Sequence, residues 1–86
     1  MKDLEKILKA LANRRRLSIL KFIKSEREAS VGQIADNIRL SFKATSKHLN
    51  ILAHADLVDK EQIGLTVLYH INQNQKPFRS PVPRWT

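Results

Sequence analysis

Lys43, Ser46, Lys47 and Asn50 follow one another at steps of three, one and three residues, which gathers them on one side of an α-helix. A lysine there can reach a guanine edge or a phosphate, an asparagine can pair with adenine, and a serine is short enough to permit close approach. Together they can read a duplex. The same four also describe an ordinary solvated helix face. The charge of the chain favours the first reading, because Lys and Arg number 16 against 8 Asp and Glu, a formal charge of +8. A field of that sign attracts nucleic acid or anionic lipid.

The helix that must present them begins after Ser41, a good N-cap, and runs through Phe42 to Leu52. With Thr45, Leu49 and Leu52 on the core side, Phe42 and the polar set turn outward. Phe42 can touch a thymine methyl or staple the helix start on nearby apolar residues. The Ser41 hydroxyl caps its helix and can also meet a backbone phosphate. Upstream, Ser30 to Asn37 opens with a capping box, Ser30 with Gln33. Only Ile38, Arg39 and Leu40 separate the two patterns, as suits the corner of a helix-turn-helix.

Two helices precede that pair. Leu4, Ile7, Leu8 and Leu11 recur at i, i+3, i+4 and i+7, one amphipathic face. Asn13 caps a second helix from Arg14 to about Ser25, whose Leu17, Ile19, Leu20, Phe22 and Ile23 make a wide apolar face for a core. Arg14, Arg15 and Arg16 occupy its first turn, where cations oppose the helix dipole. A phosphate at the helix start relieves that conflict, and so does an intramolecular ion pair. Glu26 to Glu28 is a polar link, and Ala29 with Ser30 suits a short strand. From Leu57 the period changes to two. Val58, Lys60 and Gln62 precede Gly64, and Thr66 to Ile71 follow, which predicts a hairpin whose second strand is covered on both faces at Leu68.

Several functions are disfavoured. There is no cysteine, hence no disulfide, thiolate metal site or thiol nucleophile, and a cytoplasmic home fits. His48 and His54 are six apart and point in different directions on one helix, and His70 has no ligand neighbour, so no metal site is expected. Asp56 could contribute to a site assembled across a dimer, but nothing local requires it. No glycine-rich phosphate loop, carboxylate pair or nucleophile beside a base is present, so neither an enzyme nor a cofactor is expected. No apolar run spans a bilayer, and Met1 to Glu5 lacks a signal-peptide core. Eighty-six residues allow one core. We expect a single domain over residues 1–72, mainly α with a small β-hairpin, and an extended C-terminal tail over 73–86, which holds all three prolines.

Helix, helix, helix-turn-helix and hairpin, in that order, resemble the winged helix-turn-helix of ArsR-type transcriptional regulators from Leu4 to about Ile71. Lys9 to Leu20 looks like the family's opening, a short linker into Arg-Leu-x-Ile-Leu. Ser46-Lys47-His48-Leu49 falls on its Ser-x-His-Leu pattern in the recognition helix. Asp56-Leu57-Val58 and the hairpin ending Leu68-Tyr69-His70-Ile71 look like its wing. The chain departs from the family in three places. Ser30 and Gly32 stand where metal-sensing members often carry cysteines. Pro77, Pro81 and Pro83 disfavour the final dimerising helix. The wing tip is Gln62-Ile63-Gly64-Leu65 behind Asp59 and Glu61, without the usual arginines and lysines.

The resemblance implies a sequence-specific regulator of double-stranded DNA, a repressor acting as a homodimer, its effector unknown. Ser41, Phe42, Lys43, Ser46, Lys47, Asn50, Arg14 and Arg15 are then the DNA-contacting set, and Leu4, Ile7, Leu8 and Leu11 the dimer stripe. His48 is expected partly buried, buttressing the recognition helix. The competing expectation is a winged-helix module that binds protein, which the acidic, apolar-tipped hairpin and the Phe78 to Trp85 tail favour.

Overall fold

A computed structural model describes residues 2–72, with side chains from Leu4 onward. The expected tail, with Phe78 and Trp85, lies outside the described residues. Elements run α1 (Lys2–Leu11), α2 (Arg14–Glu26), β1 (Ala29–Ser30), α3 (Val31–Ile38), α4 (Phe42–His54), β2 (Val58–Ile63) and β3 (Thr66–Ile71). This is the four-helix, winged-helix α+β architecture that the order of patterns predicts.

Caps set the boundaries. Asn13 Oδ1 accepts from the Arg15 and Arg16 amides at 2.9 and 3.1 Å. Ser30 and Gln33 exchange both bonds of the capping box, at 3.2 and 2.9 Å. Ser41 Oγ accepts from the Ala44 amide at 3.1 Å. Each cap satisfies a donor that the first helical turn leaves free. The corner between α3 and α4 turns on Arg39, held at φ 56° in the left-handed region while its amide bonds back to Asp36. That conformation usually falls to glycine or asparagine.

The sheet is antiparallel in the order β1-β3-β2, with Ala29 opposite Tyr69 and Val58 opposite Ile71. β3 is therefore central, and it is partly buried on both faces, at Val67 on one and at Leu68 and His70 on the other. Gly64 carries φ 65° and Leu65 does not share a positive φ, the pattern of a two-residue type II′ hairpin turn. Ile19 and Ile23 of α2, Ile34 of α3, Leu49 and Leu52 of α4 and Val58 of β2 are all sealed from solvent and form one core. Burying such side chains stabilises by roughly 1.5–3 kcal/mol each. Leu17 departs from the expected α2 face, being 49% exposed. It lies about 200° around the helix from Ile19, on the far side of the buried stripe.

Candidate nucleic-acid interface

α4 has two chemically distinct sides. Thr45, Leu49 and Leu52, one turn apart, are wholly buried and seat the helix on the core. Phe42, Lys43, Lys47 and Asn50 are exposed, and Ser46 is half-buried at the edge of that surface. The helix thus brings together five of the eight proposed DNA-contacting residues, with capping Ser41 exposed at its start. Phe42 is 63% exposed, so its ring does not close over the helix start as a staple.

The arginine run divides. Arg14 and Arg15 are exposed, whereas Arg16 turns inward. Its Nε donates to the Ala10 carbonyl at 2.7 Å and Nη2 to the Lys9 carbonyl at 3.2 Å, both in the last turn of α1. Its Nη1 lies 3.3 Å from His48 Nδ1 on α4. Arg16 is therefore satisfied within the molecule, by carbonyls and an imidazole rather than by a carboxylate. Since a guanidinium only donates, this contact is a hydrogen bond when Nδ1 accepts, that is, with the ring neutral and its proton on Nε2. Burial, then Arg16, Arg15 and Lys47, hold the His48 pKa below its ordinary 6.5. The ring is half-buried, in the buttressing place expected of it. Its partner was not foreseen, because 32 residues separate the two and no spacing rule links them.

The wing presents little positive charge. Asp59 Oδ1 accepts from Asn72 Nδ2 at 3.1 Å, Glu61 is exposed, and at the tip Ile63 and Leu65 are 54% and 101% exposed. On α1, Leu4 and Leu8 are 50% and 57% exposed, while Ile7 packs against the core and Leu11 is half-buried. The stripe is shared: Leu4 and Leu8 face out and Ile7 faces in. Among the described residues, no three His, Cys, Asp or Glu side chains converge as a metal site, and no helix is long and apolar enough to cross a membrane.

Residues 13–60 match the family model described as bacterial regulatory protein, arsR family. The chain is 38% identical over 69 residues to the transcriptional activator HlyU of Vibrio cholerae, a match that covers 80% of this chain and 63% of HlyU. The structure of that HlyU superposes with a TM-score of 0.76 at 36% identity, covering 84% of this chain and 77% of the other. A homodimeric winged helix-turn-helix DNA-binding domain from Mycobacterium bovis, a possible ArsR-family transcriptional regulator, gives a TM-score of 0.79 at 30% identity, covering 85% and 67%. The transcriptional repressor PagR of Bacillus anthracis gives 0.75 at 26% identity, covering 84% and 82%. The chain thus spans less than two thirds of the curated HlyU sequence. The named relatives are regulators rather than enzymes, in keeping with the absence of a catalytic constellation in the sequence.

Proposed function

Because the chain belongs to the bacterial arsR family of regulatory proteins, we propose that it is a sequence-specific transcriptional regulator that lays α4 in the major groove of double-stranded DNA. The observation that carries this is the division of α4, with Thr45, Leu49 and Leu52 sealed in the core and Lys43, Lys47 and Asn50 free on the opposite side. Ser46 then allows close approach, Phe42 meets a thymine methyl, and Ser41, Arg14 and Arg15 hold phosphate.

The working form is a homodimer in the cytoplasm. Leu4 and Leu8 offer apolar surface for a two-fold contact through α1, and the Mycobacterium bovis relative is a homodimer. Such a dimer reads half-sites about 34–36 Å apart. Occupancy of a promoter by it excludes other proteins from the same duplex, which makes repression the proposed outcome. Relatives bear both names, activator and repressor. A promoter-reporter assay with and without the protein distinguishes the two.

A second reading has its own observation. The exposed Ile63 and Leu65 beside Glu61 suit a protein surface better than a phosphate backbone. Titrating salt against binding to a mixed-sequence duplex separates them. DNA binding through phosphate neutralisation weakens steeply and log-linearly with salt. A flat or absent response excludes the duplex-binding role and leaves the protein-docking one.

A further inference from the structure

Three helices meet at one guanidinium. Arg16 leaves the first turn of α2, caps the carbonyls of Lys9 and Ala10 at the end of α1, and reaches His48 on α4. For α1 this supplies a cation at the negative end of the helix. For α4 it supplies a directional tie, which apolar packing alone does not. The tie lasts only while Nδ1 keeps its lone pair. A proton there places two donors face to face. The charges acting on the ring are Arg16 and Arg15 from α2 and Lys47 from α4, all of one sign. α1 meets Arg16 with carbonyls, while its Glu5 pairs with Lys9 at 3.5 Å; the influences that lower the His48 pKa are burial and these three cations.

We propose that Arg16 and His48 are positioning residues that set the attitude of α4 against α1, and that proton uptake at His48 Nδ1 releases α4 and lowers the chain's discrimination between its operator and unrelated duplex, on the premise that α4 reads DNA. At neutral pH the tie is favoured, because burial and three neighbouring cations lower the His48 pKa and so disfavour a proton on the ring. In acid, the new charge beside Lys47 strengthens attraction to any phosphate. Acid therefore spares or raises affinity for unrelated duplex while it weakens the operator complex. The ratio of the two affinities carries the signature, rather than either affinity alone.

The test uses the full chain, a duplex selected in vitro from random sequences, and a scrambled duplex, at about pH 7.5 and about pH 5 and constant ionic strength. The affinity ratio of the wild type should fall roughly tenfold in acid, the equilibrium factor of one hydrogen bond to a charged group. His48→Asn places an amide oxygen near Nδ1 that accepts from Arg16 and does not titrate. It should keep the neutral-pH ratio and hold it in acid. Arg16→Met keeps the aliphatic stem without donors and should show the low ratio at both pH values. A flat wild-type ratio, or a His48→Asn ratio that falls as the wild type's does, overturns the proposal. The imidazole titration of the free chain, followed by NMR, gives a readout without DNA. Amides at the end of α1 and along α4 should shift with the ring, and silence there overturns the tie. Linked shifts together with no sequence-selective binding at any pH keep the tie and remove the DNA-reading role.

Discussion

Removing Lys43 and Lys47 together tests the α4 assignment most directly. Both ammonium groups are exposed and neither side chain fills the core, so Lys43→Ala/Lys47→Ala opens no cavity. Such surface changes alter stability by about 0.5 kcal/mol or less. If both lysines neutralise phosphates, the plot of log affinity against log salt should become shallower by about 1.8, two contacts at roughly 0.9 each. Extrapolated from a common value near 1 M, that slope difference amounts to roughly 30-fold weaker binding at 0.15 M salt and roughly 200-fold at 0.05 M. If one lysine reads a guanine instead, about 1–3 kcal/mol is lost on the selected duplex alone and the slope changes less. Fluorescence anisotropy of a labelled duplex across that salt range measures both quantities, with circular dichroism checking the fold. An unchanged affinity and slope in a folded double variant refutes the placement of α4 against DNA.

Three further outcomes follow from the same geometry. Thr45 is fully buried and its Oγ1 has no partner among the described residues, so Thr45→Val should stabilise by about 1 kcal/mol and raise Tm by roughly 4–8 °C; a lower Tm in a thermal melt shows that the hydroxyl is bonded. His48 has a folded-state pKa below 6.5, so the unfolded chain binds its proton first. The stability it contributes is complete above the unfolded value and is lost as pH falls through and below 6.5. Urea unfolding should show an extra acid loss in wild type over His48→Asn, and equal losses refute the linkage. Leu4→Glu/Leu8→Glu should leave the fold intact, because both leucines are half exposed, and should yield a monomer by sedimentation; a dimer that persists excludes α1 as its contact.

The elements were readable because each is governed by local rules. Asn13, Ser30 with Gln33, and Ser41 announce three helix starts within four residues of themselves, and each forms the expected bond. The switch from a helical to a two-residue period at Leu57, with Gly64 at the turn, placed the hairpin. The inward trio Thr45, Leu49 and Leu52 followed from helical geometry alone, and with it the outward Lys43, Lys47 and Asn50; Phe42, only about 60° from Thr45 around the helix, is exposed although periodicity alone sets it toward the core. Periodicity failed at Leu17, since a wide run of apolar residues counts toward one face even where a member stands on the far side of the buried stripe and nothing covers it. It also treated Leu4, Ile7, Leu8 and Leu11 as one surface, whereas the core takes Ile7 and leaves Leu4 and Leu8 outside.

Arg16 was the hardest residue to place, and the reason is physical. Among three consecutive arginines, it differs from Arg14 and Arg15 in sequence only by heading the Arg16-Leu17-Ser18-Ile19-Leu20 string, which says nothing of its partner; the tertiary arrangement turns it toward α1 and His48. A carboxylate partner would have been the obvious one, yet it would set a negative charge beside the side of α4 that Lys43 and Lys47 keep positive. Carbonyl dipoles and a neutral imidazole satisfy the guanidinium while leaving its full charge in the field of the chain. The arrangement thereby fixes α4 on its apolar seat without subtracting from the attraction that a +8 chain exerts on a polyanion. The tie and the surface it supports depend on the same cation, and the sensitivity of that tie to one proton follows from the choice of an imidazole as acceptor.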